Sequence, residues 1–477
     1  MRHPGSLHQG TSKLGRYGAT CLILLAGLAV GAAALAEDSA QRASSGPGVA
    51  TGPNPDQGLP IEGWMVYPSF TAGGVFTSNV LNSVSNKQSA LGIDLSPRFD
   101  ATLDNGIHRT TVYGAIDAQI YPGAYGGGSS YPGQLTGAAS STSANSIQGR
   151  AGVAEVYAPF EDLTVNAILD YTRLLGVFGS GFGVSAGAVA GAPSLYVASA
   201  TAPTGLGPQY SNQLTGQLSV QKNITDRTFV TLTGGAQGLF YDTSSSPAAA
   251  GSFAAQSLST QQNGVNYTAS ARVGYWTTPT IYVFAEPGLS FRRYQYSQSN
   301  TSGYSAVGGI GSDQIGFFRG EIYGGYQSQS SAYGQSGAIS SPAFGARLLY
   351  YPTPYLTISG TAAETLGSTL PSVSAAGGGG STVSGAKSIQ ATLQASYAFS
   401  PVWQAWAQGG YGRTTYTSSS AVSTAWTVGA GVSYTFWRNL ALTLSDQFNL
   451  ISNTNVVGSG LGNYSQNILM AGVTYRY

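Results

Sequence analysis

Ionisable side chains recur at every second position within short segments of this sequence. Asp94, Arg98 and Asp100 follow this spacing between Leu91 and Leu103. Paired carboxylates can act as general acid and general base, but an arginine between two aspartates on one strand face predicts a salt-bridge array instead. The same alternation assigns to equivalent positions Asp117, Arg150, Asp170, Arg272, Glu286, Arg292, Arg319, Glu321 and Arg347.

Histidine and cysteine offer little further chemistry. The chain has 3 histidines and 1 cysteine, and His108 is the one histidine beyond the N-terminal segment. It follows the Asp104-Asn105-Gly106 turn, where an isolated histidine is expected to be solvated or at the membrane interface. Hydrolytic strategies generally need a histidine beside a serine or an aspartate as general base. We therefore expect no catalytic residue, no metal and no cofactor.

The composition excludes several classes of protein. Charged residues make up 8% of the 477 residues, against about 25% in soluble proteins. Beyond the N-terminus, no apolar run reaches the roughly 20 residues that a membrane-spanning helix needs. Lysine and arginine total 20 and aspartate and glutamate 19, so the chain lacks the basic excess that nucleic-acid binding requires.

Alternating hydrophobicity is the main structural signal. In Leu469–Tyr477, every second side chain from Leu469 onward is apolar or aromatic, and the others are mostly small or polar. This period of two is typical of a strand with two different faces. Segments with this pattern, about as long as a tilted strand that crosses a bilayer, are Leu91–Leu103, Thr110–Tyr121, Leu214–Gln221, Val265–Trp276, Ile281–Tyr294, Ile389–Phe399 and Trp426–Phe436.

Short turns alternate with long loops along the chain. The segment Gly303–Tyr326 can form either one interrupted strand or two strands around Ser312-Asp313-Gln314. An even number of strands keeps all short turns on one side of the membrane, and this favours the two strands. The prediction is an all-β fold, a transmembrane antiparallel β-barrel of about 18 strands, with 16 as the alternative, short periplasmic turns and long extracellular loops. A barrel of this size usually encloses an aqueous channel. A large soluble β-sandwich or β-helix is the competing interpretation.

The N-terminal residues predict where in the cell the protein is located. Residues 1–36 combine basic residues, an apolar stretch and a small-residue cleavage site near Ala36, as in a secretory signal peptide. An uncleaved anchor is the alternative. Residues 37–60 predict a flexible periplasmic tail, because they are rich in Pro, Gly and Ser. Residues 61–477 then form the barrel, in the outer membrane of a Gram-negative cell.

The alternation also predicts the channel lining. If the apolar set faces lipid, the ionisable residues named above face the lumen. Arginines and acids nearly balance there, which predicts weak ion selectivity. Inward aromatic residues could stack on sugar rings or simply pack in the wall, and these are Tyr113, Tyr282, Phe284, Tyr294 and Tyr323.

Several motifs carry a family resemblance. They are Tyr67–Val80 (YPSFTAGGVFTSNV), Leu95–Phe99 (LSPRF), Arg319–Tyr326 (RGEIYGGY) and Phe344–Leu348 (FGARL). With them the chain resembles the outer-membrane β-barrel porins of the second type, which are common in alphaproteobacteria and often found near exopolysaccharide genes. The resemblance implies an outer-membrane barrel and specifies no cargo.

The last strand is also similar to the signal that the outer-membrane assembly machinery reads. Gly472, Tyr475 and Tyr477 match that signal, whereas Met470 departs from the polar residue usual at its start. The partners expected are therefore outer-membrane lipid and the assembly machinery, with polysaccharide or small polar solutes as cargo. The sequence favours no particular oligomeric state.

Three functions follow from these patterns. The first is a passive, weakly selective channel for saccharides or for exopolysaccharide export. The second is a structural barrel closed by inward folding of long connections such as Gly176–Pro208 and Leu366–Gly385. An outer-membrane enzyme is a minor alternative.

Overall fold

The computed structural model describes most of the predicted barrel. The described residues are 58–80, 87–122, 125–126, 142–143, 145–177, 208–241, 263–295, 300–331, 338–367, 386–416, 422–454 and 463–477. No helix in these ranges is long and apolar enough to cross a membrane. The predicted signal peptide and almost all of the predicted tail lie outside the described residues.

All of the regular structure in these ranges is β-strand. In chain order the strands are β1 (Leu59–Ile61), β2 (Trp64–Thr77), β3 (Ala90–Asp104), β4 (His108–Ile120), β5 (Tyr125–Gly126), β6 (Thr142–Ser143), β7 (Ser146–Phe160), β8 (Leu163–Val177), β9 (Pro208–Asn223), β10 (Thr228–Tyr241), β11 (Gly264–Trp276), β12 (Ile281–Tyr294), β13 (Thr301–Ile315), β14 (Phe318–Ser331), β15 (Ile339–Thr353), β16 (Leu356–Gly367), β17 (Ala386–Ala398), β18 (Trp403–Tyr416), β19 (Val422–Trp437), β20 (Leu440–Thr454) and β21 (Tyr464–Arg476).

Eighteen of these strands close into an antiparallel barrel. Each pairs with its neighbour in sequence, and β2 pairs with β3 on one side and with β21 on the other. The short strand β1 pairs only with β2, and β5 and β6 pair with each other. The predicted fold class is confirmed, with the higher of the two strand counts.

The region around Ser312-Asp313-Gln314 forms two strands, as predicted, but the turn lies elsewhere. These three residues belong to β13, where the pairing with β14 is irregular between Ser312 and Ile315. The chain reverses at Gly316-Phe317, and Gly316 has a φ of 60°. Glycine adopts this left-handed conformation without steric cost, which explains the position of the turn.

All short turns lie at one end of the barrel, here called the turn end, and the long connections lie at the opposite loop end. In the turn between β3 and β4, the Asn105 side chain accepts a hydrogen bond from the His108 backbone N–H at 2.7 Å. Next to it, Lys222 donates a hydrogen bond to Asp162 and thereby lowers the pKa of that exposed carboxyl.

The predicted tail ends in a strand. Leu59 and Pro60 pair with Val66 and Met65 of β2. The connection uses two residues of positive φ, Glu62 at 48° and Gly63 at 90°. Strand β1 therefore begins slightly before the predicted barrel boundary at residue 61.

The outer and inner faces differ sharply in exposure on strands such as β3. On β3, Leu91 is 71% exposed on the outer face, whereas Asp94 is 4% exposed on the inner face. One group of inner residues is apolar: Val75 and Tyr121 are buried, with Val80, Ala90, Ile468 and Met470 packed against them. Met470, which departs from the assembly-signal pattern, thus fills the lumen wall beside Val75.

Candidate channel lumen

The inner face carries every side chain predicted to line a pore. Cross-strand partners share one face of a sheet, so the register extends the inner face from strand to strand. This places inward Asp94, Arg98, Asp100, Asp117, Arg150, Asp170, Arg272, Glu286, Arg292, Arg319, Glu321 and Arg347. The structure gathers them into two groups on different parts of the wall.

The first group, called the acidic sector, lies on β3, β4, β7 and β8. Asp170 is its best-connected member. Its carboxylate accepts hydrogen bonds from the Arg150 Nε at 2.7 Å, the Tyr113 hydroxyl at 2.6 Å and the Thr172 hydroxyl at 2.8 Å. The Arg150 guanidinium also lies 4.8 Å from the centroid of the Tyr113 ring. The sector comprises Asp94, Arg98, Asp100, Asp117, Arg150 and Asp170.

The second group, called the basic sector, lies on β11, β12, β14 and β15. Arg272 occupies its centre and binds Glu286 and Glu321, with nitrogen–oxygen distances of 2.7 Å to each. The Tyr282 hydroxyl donates to Glu321 at 3.0 Å, and the Arg272 guanidinium lies 4.0 Å from the Phe284 ring centroid. The sector comprises Arg272, Glu286, Arg292, Arg319, Glu321 and Arg347.

The two sectors have opposite charge. The acidic sector has two more acids than arginines, and the basic sector has two more arginines than acids. They are separated by β9 and β10 on one side and by β16 to β21 and β2 on the other. The lumen is therefore nearly neutral as a whole, but an electric field crosses it from one wall to the other.

Much of the rest of the wall is polar and uncharged, although Arg476 of β21 also faces inward, and both it and Arg98 pair with Ser69 of β2. On β16 to β20 the described inner positions carry hydroxyl, amide and small side chains, with Trp406 and Ile451 as exceptions. The Thr361 and Thr392 hydroxyls are 2.6 Å apart across β16 and β17. This surface, called the neutral arc, can donate and accept hydrogen bonds without favouring either ion.

Inward aromatic rings lie against glycines of the neighbouring strand. Tyr113 is paired with Gly152, Tyr282 with Gly311, Phe284 with Gly309, Tyr323 with Gly345, and Trp406 with Gly431. A Cβ atom on any of these glycines would collide with the ring. The rings therefore cover the wall instead of projecting across the lumen, an arrangement that the separate strand patterns did not reveal.

Comparison with known proteins agrees with this geometry. The family model described as "Putative beta-barrel porin 2" matches residues 53–477. The chain belongs to this family. No curated protein matches the sequence. Membership assigns the barrel to the outer membrane and to the porin-like proteins.

Three solved structures illustrate how distant the structural similarity is. A ferric enterobactin receptor mutant from Pseudomonas aeruginosa has 7% identity and a TM-score of 0.41, with 86% of this chain and 80% of the receptor covered. OccAB4 from Acinetobacter baumannii has 8% identity and a TM-score of 0.39, with 89% and 100% covered. OpdK with vanillate, from Pseudomonas aeruginosa, has 11% identity and a TM-score of 0.40, with 86% and 99% covered. Similarities this low carry no argument about cargo.

The loop ends of β16 and β17 bend into the lumen of this porin. The ladder between β15 and β16 ends at Gly345 and Ala363, whereas the ladder between β16 and β17 continues to Gly367 and Ala386. The part of β16 beyond Ala363, which does not pair with β15, lies against the inner surfaces of β12 to β15. We call residues 364–367 with 386–387 the inturned segment.

Several contacts hold the inturned segment in place. Glu364, whose side chain is 1% exposed, forms an ion pair with Lys387 at 3.0 Å and accepts a hydrogen bond from the Ser341 hydroxyl. The Leu366 carbonyl accepts a hydrogen bond from Arg292 of β12 at 3.1 Å. Because Ser341 and Arg292 are inner-face residues, the segment must narrow the channel.

Sequence reasoning missed this segment. The alternation on β16 and β17 assigns Glu364 and Lys387 to the outer face, and inward folding was predicted only for the connection Leu366–Gly385, not for the ends of the strands that precede and follow it. Residues 178–207 and 368–385, the greater part of the two connections predicted as closing loops, lie outside the described residues.

His108 lies on the outer face at the turn end, away from the lumen. Its Nδ1 is 2.8 Å from Glu155 Oε1, and its ring stacks on Tyr157 with centroids 4.4 Å apart. The Thr110 hydroxyl also donates to Glu155. The part of the chain that the structure describes holds no group of three or more metal-ligating side chains.

The residues predicted as an assembly signal occupy both faces of β21. Tyr475 and Tyr477 are exposed at the turn end, and Tyr475 is on the same outer face as Val473 and Leu469. Gly472 faces inward and pairs with Gly73. The two tyrosines therefore lie where the aromatic girdle of an outer-membrane barrel is found.

Proposed function

We propose that the protein is a passive outer-membrane channel for small, uncharged or dipolar polar solutes, with saccharides as the expected class. The observation that carries this proposal is the lining. Its charges are balanced and mostly paired, as around Arg272, and a broad neutral arc of hydroxyl and amide groups completes the wall. Such a surface offers hydrogen bonds to polyhydroxylated solutes and no ring of one charge to select ions.

The aromatic residues contribute less to solute binding than their number suggests. Phe284 is buried beneath Arg272, and Tyr113 lies beneath Arg150. Their accessible ring faces are thus covered by guanidinium groups, and both rings support the wall. Tyr323 is half-buried on the inner face and is the ring that we propose contacts passing solute.

The proposed role assigns no catalytic step to the chain. The turn end faces the periplasm, and the loop end faces the cell exterior. Assembly requires the outer-membrane insertion machinery, which we propose reads Gly472, Tyr475 and Tyr477. Export of exopolysaccharide is a more specific form of the same proposal, and it predicts passage of oligosaccharides longer than those a narrow diffusion pore admits.

Planar-bilayer recording of the purified, folded protein tests this function. We expect stepwise currents with a reversal potential near zero in a salt gradient. Liposomes containing the protein should also swell in neutral sugars. Strong anion or cation selectivity in the unmodified protein would contradict the proposed lining.

The inturned segment favours a second candidate, a structural barrel with a closed lumen. It already brings β16 to within hydrogen-bonding distance of Arg292 on β12. The same recordings separate the two functions, because a closed barrel gives no steps in current and no swelling in any sugar.

A further inference from the structure

One carboxylate lies on the outer face in the middle of a strand. Asp446 is at the centre of β20, between Leu444 and Phe448, which are 46% and 41% exposed on the same face. Its cross-strand partners are Ala430 of β19 and Leu469 of β21, both outward. Asp446 therefore faces the hydrocarbon layer at about half its depth.

This position is exceptional within the described strands. Other charged residues on the outer face lie toward strand ends, such as Glu155 and Lys222 at the turn end and Arg173 and Arg413 at the loop end. Glu364 and Lys387 are turned into the lumen. A charged group at the centre of the lipid face is destabilising, and ionisable residues in a membrane usually have a protein partner or a function.

A hydrogen-bond donor lies beside this carboxylate. The Asn467 side-chain nitrogen is 3.4 Å from Asp446 Oδ2, which is a long hydrogen bond. Two hydrogen bonds with Ser78 fix the Asn467 backbone. The Asn467 N–H donates to the Ser78 hydroxyl at 2.9 Å, and the Ser78 backbone N–H donates to the Asn467 carbonyl at 3.0 Å. An acceptor and a donor thus stand next to each other on an apolar surface, and the backbone holds the donor in position.

The surface around the pair allows another protein to approach closely. Ala430 and Ala471 flank Asp446 on the outer face, and Gly74 of β2 has open space where a Cβ would be. Small side chains of this kind let backbones pack closely inside membranes, where polar side chains also join proteins.

We propose that the outer face of β19, β20, β21 and β2 is the contact surface of a twofold-symmetric homodimer. Two copies related by a twofold axis present the same patch to each other. The Asp446 carboxylate of each copy can then accept a hydrogen bond from the Asn467 amide of the other, so one donor–acceptor pair is used twice. Lipid acyl chains offer no donor, so lipid cannot replace the second copy.

Single cysteines test which face makes the contact. Cys21 is the one cysteine of the sequence and falls within the predicted signal peptide, so Cys21→Ser gives a background without thiols whether or not that peptide is removed. Ala430→Cys in that background should yield cross-linked dimers in outer-membrane preparations treated with a short bismaleimide. Ala269→Cys is the matched control, because Ala269 is an exposed outer-face alanine on β11, across the barrel from β20. It should give none.

Asp446→Leu tests the role of the carboxylate. We expect the detergent-extracted native protein to have the mass of a dimer, and Asp446→Leu to weaken association about tenfold while the barrel still folds. Asn467→Leu should have the same effect and serves if the first variant fails to assemble. A native protein that is monomeric, or bound only to a different protein, would overturn the proposal. So would equal cross-linking from positions 269 and 430, or a dimer that both leucine variants leave intact.

Discussion

Tyr323 lies across the β14–β15 ladder from Gly345, and its ring occupies the space that a side chain at position 345 would need. The same relationship joins Tyr282 to Gly311 and Trp406 to Gly431. Aromatic residues are known to cover glycines on neighbouring strands. In this barrel the arrangement keeps large rings against the inner face instead of across the lumen.

Gly345→Val should displace the Tyr323 ring from the wall. We expect a lower single-channel conductance, because the ring must move into the lumen, and a destabilisation of about 1–3 kcal/mol from overpacking. Gly324→Val is the matched control: Gly324 is on the same strand as Tyr323, but a Cβ there meets open space. Equal conductance of the two variants would show that the Tyr323 ring can move without entering the lumen.

Arg272→Ala should make the channel cation-selective. The substitution leaves Glu286 and Glu321 without their shared partner, and the uncompensated carboxylates attract cations. We expect the reversal potential to shift toward the equilibrium potential of the cation, and the free energy of unfolding to fall by about 1–3 kcal/mol. The triple variant Arg272→Ala, Glu286→Gln, Glu321→Gln should return the reversal potential to near zero. A persistent shift in that variant would assign selectivity to other residues.

Lys387→Met should release the inturned segment and increase conductance. Glu364 would remain buried without its cation, so the segment is expected to leave the inner surfaces of β12 to β15. Conductance is measured in planar bilayers, with Lys222→Met as control, because Lys222 forms an exposed ion pair with Asp162 at a turn. Exposed pairs of this kind contribute little to stability. Unchanged conductance in Lys387→Met would mean that the ion pair does not hold the segment.

Deletion of Tyr477 should reduce the amount of barrel that reaches the outer membrane, without altering the conductance of the molecules that do. The Tyr477 ring is exposed at the turn end and does not line the lumen. Quantifying folded protein in outer-membrane fractions checks the first effect, and single-channel recording checks the second. A substitution of Tyr355, another exposed tyrosine at the turn end, is the control and should assemble normally.

Local sequence patterns predicted the features that depend on a period of two. Alternation on β3 assigned Asp94, Arg98 and Asp100 to the face that the structure places inward, and turn chemistry identified the Asp104-Asn105-Gly106 reversal. The turn at Gly316 was misplaced, because Ser312-Asp313-Gln314 has suitable turn residues but glycine alone tolerates the required φ without strain. Turn-forming residues therefore locate a turn only when a single segment of the sequence contains them.

Features that join distant strands were not predictable in this way. The inward bend of β16 depends on where its ladder with β15 stops, and nothing near Glu364 in the sequence marks that position. The stacking of Tyr323 on Gly345 depends on strand register, which one sequence leaves open. Asp446 interrupts the outward apolar pattern in the sequence itself, but its proximity to Asn467 depends on the register between β20 and β21.

The pairing of β2 with β21 has a consequence for biogenesis. The hydroxyls of Thr71 and Thr474 are 2.9 Å apart although 403 positions separate them along the chain. Contacts of such long sequence separation form slowly, because loop-closure entropy must be overcome before they are gained. Over Ser69–Thr77 the first barrel strand, β2, therefore has no second neighbour until the last strand pairs with it, because β1 covers only Trp64–Val66. In that interval its open edge can pair with other chains, so we propose that a carrier shields this edge during transit.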